Sequence, residues 1–327
     1  MRGVSFAHLP AGPAGAGLAQ DAINGLAGRP KSLPPKYFYD ARGSTLFERI
    51  CATPEYYPAR TEDALLARVS AAVIGSARPQ VIVELGSGSS RKTRHLFEAC
   101  AAQRRRVLYR PLDVCGEALR CAARRLVEGF PWLRIEGLIG DYAEGLAAIP
   151  LAGGPRLFVS LGGTLGNFTD AQAADFLARL RARMGRGDAL LVGFDRVKDK
   201  GVLDAAYNDA GGLTAAFNLN LLTVLNRELG GDFDCEGFRH AAFFRVDCRR
   251  IEMHLVAQSA QKVRLRRIGM TVELERGESI LTEISRKFTA DDVENLLGRA
   301  GFVIVRHDEA AHAHYSLVLA APKPGTP

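Results

Sequence analysis

The run VIVELGSGSS at Val81–Ser90 limits the fold more than any other part of the chain. Its apolar start, closed by Glu84 and Leu85, reads as a strand covered on both faces rather than one half exposed to water. Gly86 and Gly88 follow at once, where a missing Cβ lets the backbone turn sharply and come close to a ligand. A helical pattern begins near Ser90. Strand, glycine turn and helix in that order make a βα unit, and the flanking sequence repeats the alternation. A helix is expected over Asp63–Ser76 and another over Ser90–Gln103, then a strand at 106–114 and a helix at 116–129. Strands follow around Leu133–Leu138 and Arg156–Leu161, then a helix at 170–184 and the strand ALLVGFD at 189–195. Such alternation implies an α/β fold built on a parallel sheet with helices on both faces.

After Asp195 the pattern changes. Residues 197–230 read as helical, with Tyr207, Phe217, Leu221 and Leu225 at helical spacing, and 243–285 hold alternating runs expected to pair as antiparallel strands. A helix at 290–301 and the runs FVIVRHDE and YSLVLAAP then read as a return to the first sheet, closing it with a hairpin at its edge. The expected organisation is one α/β domain over 62–196 and 286–327, carrying a second, α+β domain made from 9–61 and 197–285. Residues 1–35, rich in Ala, Gly and Pro, read as a loose leader. In Lys36–Thr61, Ser44 is a candidate cap for a helix reaching Cys51. Pro54 and Pro58 are expected to keep the segment around Tyr56 and Tyr57 irregular.

Composition removes several classes of function. No apolar run reaches the roughly 20 residues that span a bilayer, and nothing in the first thirty residues has the form of a secretion signal. The six cysteines are scattered without a C-x-x-C pair, which fits reduced thiols in the cytoplasm rather than disulfides or zinc. The net charge of +7 invites a nucleic-acid reading, but Arg120, Arg124 and Arg125 lie along a helix without interleaved aromatics, so a solvated surface is expected.

Glu84-x-Gly86-x-Gly88 at one strand end is joined by Asp113 at the end of the next and by Asp141, in Gly140-Asp141-Tyr142, at the end of the third. A carboxylate at the second position accepts ribose hydroxyls in open α/β sheets. A dinucleotide site would carry a third glycine where Arg91 stands, so the cofactor expected is S-adenosylmethionine. Asn167, in LGGTLGNF after the fourth strand, lies where an amide can orient a substrate amine or carboxylate. Methyl transfer to nitrogen is an in-line displacement that depends on positioning; it needs neither a metal nor a protein nucleophile, and no metal site is expected.

The segments YFYDARGSTLFERICATPEYYPARTE, ELGSGSSRKTRHL, LDVCGEAL, LGGTLGNF, RIEMHLV, GESILTEIS and the long run DRVKDKGVLDAAYNDAGGLTAAFNLNLLTVLNRELGGDFD resemble the L-histidine Nα-methyltransferase family. That family trimethylates histidine to hercynine in ergothioneine biosynthesis. The resemblance covers nearly the whole chain from Lys36. It implies a monomeric, metal-free enzyme with a class I, Rossmann-like methyltransferase domain and a separate substrate-recognition domain. By position it assigns Gly86, Lys92, Asp113, Asp141 and Tyr142 to adenosylmethionine. It assigns Asn167 and Tyr207 to the α-carboxylate and amine, and Tyr56 to the histidine pocket. Tyr39 falls near the amine being methylated. Glu283 and Ser285 are implied to read the imidazole, with Met253 packing beside it. The chemistry is compatible: an imidazole N–H suits a carboxylate acceptor and its second nitrogen suits a hydroxyl. Strand alternation also puts Glu283 and Ser285 on one face. With its usual pKa of about 10, Tyr39 is expected to orient the amine rather than act as a base. The chain departs from the family at Gly163 and Cys115, where serine is usual. The substrates expected are L-histidine and its mono- and dimethylated forms. The alternatives are another aromatic amino acid such as tryptophan, a basic nucleic-acid methyltransferase, and a non-catalytic amino-acid-binding protein. Glu283 and Met253 favour histidine over an indole.

Overall fold

The computed structural model describes residues 3–9, 17–150 and 154–324. Its strands are β1 (Val4–His8), β2 (Lys31–Ser32), β3 (Val81–Leu85), β4 (Leu108–Asp113), β5 (Arg134–Ile139), β6 (Arg156–Ser160) and β7 (Ala189–Asp195). They continue as β8 (Phe238–Arg245), β9 (Arg250–Ala257), β10 (Gln261–Leu265), β11 (Met270–Leu274), β12 (Ser279–Arg286), β13 (Phe302–Glu309) and β14 (Tyr315–Pro322). The α-helices are α1 (Leu18–Ala27), α2 (Ala41–Cys51), α3 (Tyr57–Ala77), α4 (Arg94–Ala102) and α5 (Gly116–Gly129). The remaining helices are α6 (Tyr142–Gly145), α7 (Asp170–Ala182), α8 (Lys200–Ala206), α9 (Leu213–Leu229) and α10 (Ala290–Arg299).

The chain divides into two compact units, Met1–Ala11, Pro58–Val197 and Lys287–Pro327 in the first, Gly12–Tyr57 and Lys198–Arg286 in the second. The first holds an eight-stranded sheet in the order β1-β5-β4-β3-β6-β7-β14-β13. From β1 to β7 neighbouring strands run parallel. The last two form the antiparallel hairpin, with β14 against β7 and β13 at the edge. Successive side chains of β3 go to opposite faces, so Val81, Val83 and Leu85 pack with residues of α7 and α10 while Ile82 packs with residues of α3, α4 and α5. Both faces are dry, as the unbroken apolar strand implied. This is a doubly wound α/β sheet, parallel except for its closing hairpin.

The second unit has a four-stranded sheet in the order β2-β12-β9-β8 and the separate hairpin β10–β11. Helix α9 lies against β8, β9 and the turn at Pro35–Phe38. Phe38, Phe217, Leu221, Leu225, Ile251, Met253 and Leu255 form its buried centre.

Four local expectations fail. The segment read as a loose leader carries β1, which pairs in parallel with β5 from Val4↔Ile135 to His8↔Ile139, and also α1 and β2. Long-range pairing organises Val4–His8, where composition alone looked unstructured; residues 1–2 and 10–16 of that segment lie outside the described residues. Helix α2 starts three residues earlier than expected. Its cap is Asp40, whose Oδ1 accepts from Gly43 N at 2.8 Å, and not Ser44. Pro58 does not keep its surroundings irregular: it lies in the first turn of α3, where a missing N–H costs nothing. Tyr207 ends α8 rather than sharing α9 with Phe217, Leu221 and Leu225.

Candidate active site

In the first unit the ends of β3, β4 and β5 are stitched by backbone. Gly86 N and Ser87 N both donate to Leu112 O, at 2.9 and 3.0 Å, and Gly140 N donates to Asp113 O at 2.9 Å. The Asp113 carboxylate then takes Gly88 N at 2.7 Å and Cys115 N at 2.9 Å. Burial raises its pKa above the ordinary aspartate value, against the opposing pull of these amides. Cys115 acts on Asp113 through its backbone N–H, so the loss of the family's serine leaves that contact whole.

The glycine loop leaves room. Gly86 has φ +73°, and a Cβ there would stand 3.2 Å from the Tyr142 ring; Gly88 has φ +50° with no heavy atom within 4 Å of a Cβ position. Ser87 Oγ is buried and has no hydrogen-bond partner among the described residues. A polar cradle with an unanswered hydroxyl and an open glycine suits a bound ligand. Beneath the loop, Glu84 accepts from Thr93 Oγ1 at 2.7 and 2.8 Å and from Tyr109, whose hydroxyl is 2.8 Å from Ser90 Oγ. Burial pushes the Glu84 pKa up to about 7.

Asp141 caps α6, its Oδ1 accepting from Ala143 N at 2.8 Å. That cap sets the ring of Tyr142 edge-on to Phe176 at 5.7 Å. Burial holds the Tyr142 hydroxyl well above its ordinary pKa, and it bonds to Thr164, in the turn Thr164–Asn167 that follows β6. Asn167 ends this turn. Thr169, not Asn167, caps α7, in a reciprocal capping box with Gln172. Gly163 sits at φ +66° with only ordinary contacts around a Cβ position. In this left-handed turn glycine avoids the ~1 kcal/mol or more that the family's serine would cost.

Lys92, assigned to the cofactor, is held by a buried acid. Its ammonium pairs with Glu62, a fully buried carboxylate on α3 that also accepts from Gly162 N at 2.9 and 2.8 Å and from Tyr315 Oη at 2.8 Å. Glu62 therefore ties Lys92 to the start of the loop that carries Asn167. The sequence offers one signal for it, its place at the end of the resembling run YYPARTE; nothing in its spacing marks it as buried. Gly193 makes space for the cluster, since a Cβ there would lie 2.3 Å from Glu62 Oε1 and 2.6 Å from Tyr315 Oη. Gly193→Ala is expected to destabilise the protein by about 3 kcal/mol, at the upper end for overpacking because it also disturbs a buried ion pair. A urea titration checks this: an unchanged midpoint would mean the cluster yields freely.

The second unit gathers the other assigned residues. Glu283 on β12 pairs with Met253 on β9, which pairs with Ala242 on β8; Ser285 pairs with Ile251 two residues along. A register shift lies between Leu281 and Glu283, but beyond it the pairing is regular, so Glu283 and Ser285 share a face. Tyr207 Oη donates to Ser285 Oγ at 2.8 Å. Tyr56 stands edge-on to Tyr207 at 6.1 Å, and burial lifts its hydroxyl far above the ordinary pKa, helped by the nearby Tyr207, Cys51, Tyr39 and Glu283. Tyr39 meets Phe47 and Phe217, each at 5.6 Å, and Phe47 meets Tyr56 at 6.0 Å. Tyr39, Tyr56, Tyr207, Met253, Glu283 and Ser285 thus belong to one aromatic and polar cluster. Phe47 and Phe217 complete it and were missed, because apolar residues at helical spacing look like ordinary core.

Among the described residues, no helix is long and apolar enough to cross a membrane. A family model for SAM-dependent, histidine-specific methyltransferases matches residues 18–322. The chain is similar to the histidine N-alpha-methyltransferase of Mycolicibacterium smegmatis, with 46% identity over 294 residues covering 90% of this chain and 91% of that protein. Similarity to the histidine N-alpha-methyltransferase of Mycobacterium tuberculosis is 43% over 304 residues, covering 93% and 94% of the two chains. Ergothioneine biosynthesis protein 1 of Neurospora crassa is 30% identical over 83% of this chain and 31% of its own length.

Proposed function

The chain belongs to the SAM-dependent, histidine-specific methyltransferase family, and from that premise we propose that it methylates the α-amine of L-histidine three times, yielding hercynine for ergothioneine biosynthesis. The observation that carries the choice of acceptor is the pairing of Glu283 with Met253 beside the Tyr207–Ser285 hydrogen bond. A carboxylate and a hydroxyl on one strand face serve the two imidazole nitrogens; an indole has no use for the second.

When bound, adenosylmethionine supplies a methyl group activated by its sulfonium. The open glycine loop, the orphaned Ser87 hydroxyl and the strand-end carboxylate of Asp113 fit that ligand. Gly86 and Gly88 would let the backbone approach it, Asp113 would accept its ribose hydroxyls, and Asp141, which caps α6, would support Tyr142 beside its adenine. Lys92 contributes with its charge already balanced by Glu62. On the second unit, Glu283 accepts the imidazole N–H, Ser285 serves the other nitrogen, and Tyr207 and Tyr56 close the pocket. Asn167 is assigned to the α-carboxylate by resemblance alone. The raised pKa of Tyr56 keeps its hydroxyl protonated, so it donates a hydrogen bond and takes no proton. Tyr39 orients the amine, and aromatic faces steady the methylated ammonium that accumulates. The same reading has the enzyme working as a monomer in the cytoplasm, where its six cysteines stay free.

Incubation of the purified protein with labelled adenosylmethionine and each amino acid tests the proposal. Histidine, and then its mono- and dimethylated forms, are expected to take label. Faster turnover of tryptophan would overturn the choice of acceptor.

A further inference from the structure

Behind Tyr207 lies a chain of polar groups, the half-buried His240 and the buried Asn218 and Thr282, that the reaction does not use directly. His240 Nε2 is 2.9 Å from the backbone carbonyl of Tyr207, and its Nδ1 is 2.9 Å from Asn218 Nδ2. Asn218, fully buried on α9, also donates from Nδ2 to His254 O at 3.1 Å, while its Oδ1 accepts from Thr282 Oγ1 at 2.7 Å. This fixes the amide: turned over, its oxygen would face the His254 carbonyl, acceptor against acceptor. With Nδ2 committed as donor, His240 Nδ1 must accept. The ring proton therefore sits on Nε2 and points at the Tyr207 carbonyl. A second proton on Nδ1 would set donor against donor.

We infer that His240, held by Asn218 as the neutral Nε2–H tautomer, is a positioning residue that fixes Tyr207 for acceptor binding. The inference rests on the proposed histidine methylation. Tyr207 is the C-cap that follows α8, so its carbonyl anchors the pivot of the ring whose hydroxyl meets Ser285. Two other contacts hold the same turn to β8: Asn208 Nδ2 to Ala242 O at 3.0 Å, and Phe244 N to the Asp204 carboxylate at 2.7 Å. They limit the effect to a moderate one.

The groups around the ring define its pH response. Burial lowers the His240 pKa, while the Tyr207 carbonyl and the charge of Asp209 pull the other way. The Asp209 carboxylate is itself taken by Leu213 N and Thr214 N at the start of α9. From α8, Asp204 is engaged by Phe244 N, and from β9 the side chain of His254 turns to Glu252 and Ser279. The neutral ring thus persists through neutral pH and is lost only on the acid side of the ordinary histidine range.

Two variants test this. His240→Leu removes both polar contacts and should raise the KM for L-histidine about tenfold, as expected for a lost part-buried hydrogen bond, with the KM for adenosylmethionine unchanged. His240→Gln keeps a neutral donor for the Tyr207 carbonyl and should restore most of the affinity at neutral pH. At saturating adenosylmethionine its acid limb should be shallower: the wild-type profile of kcat/KM for histidine falls with both the substrate imidazole and His240, the variant with the substrate alone. Nitrogen NMR of the wild-type protein should show His240 as the neutral Nε2–H form at neutral pH. An Nδ1–H or charged ring, or a His240→Leu enzyme with wild-type KM, would overturn the inference. If His240→Leu does not fold, the Gln variant's pH slope and the NMR tautomer still decide. Failure of the histidine reading looks different, because then the wild-type protein itself does not methylate histidine.

Discussion

Glu283→Ala is expected to raise the KM for L-histidine about 100-fold, since a charge-assisted hydrogen bond contributes up to ~3 kcal/mol and each 1.4 kcal/mol is about tenfold. The imidazole N–H loses its acceptor, and Met253, paired across the strand, is left facing a void. Cofactor affinity should not change, because Glu283 belongs to the second unit and the glycine loop to the first. Glu283→Gln keeps volume and an acceptor oxygen but no charge, so a smaller loss, about tenfold, is expected. Steady-state kinetics with histidine varied at saturating cofactor, and calorimetry with cofactor alone, separate the two effects. A Glu283→Ala enzyme with wild-type KM would remove this residue from the imidazole pocket.

Asp113→Ala should weaken adenosylmethionine binding by roughly three orders of magnitude, the sum of two ribose hydrogen bonds to a charged acceptor at ~2 kcal/mol each. The same change orphans Gly88 N and Cys115 N, so the glycine loop loses the clamp that shapes it. Calorimetric titration with the cofactor gives the measurement; an affinity within a few-fold of wild type would contradict the assignment. The sign of the pH response follows from burial. The raised Asp113 pKa means that the ionised acceptor is lost at a higher pH than for an exposed aspartate, so cofactor affinity falls earlier on acidification. If both variants behaved as wild type, the whole division of labour between the two units would be wrong.

Much of this was legible in the chain itself. The order of strands and helices from β3 to β7, the antiparallel segment after α9 and the closing hairpin all follow from local periodicity. The glycine loop was equally plain, because glycine takes the positive φ found at residues 86 and 88 without the cost a Cβ imposes. The residues assigned to histidine came from resemblance, since an acid on a strand and a tyrosine in a loop carry no local sign of a pocket.

What periodicity could not supply was decided by contacts between distant parts of the chain. Val4–His8 becomes a strand only because β5 offers it an edge. Glu62 becomes the anchor of Lys92 and the Asn167 loop only because Gly193 leaves it room inside the sheet. His240 acquires a fixed tautomer only because Asn218 is held by Thr282 and the His254 carbonyl. The sequence by itself thus determined the α/β order and the cofactor loop, which depend on neighbouring residues. Tertiary structure decided which polar groups are buried and which partner satisfies each, because a buried donor or acceptor must find its match wherever in the chain it lies.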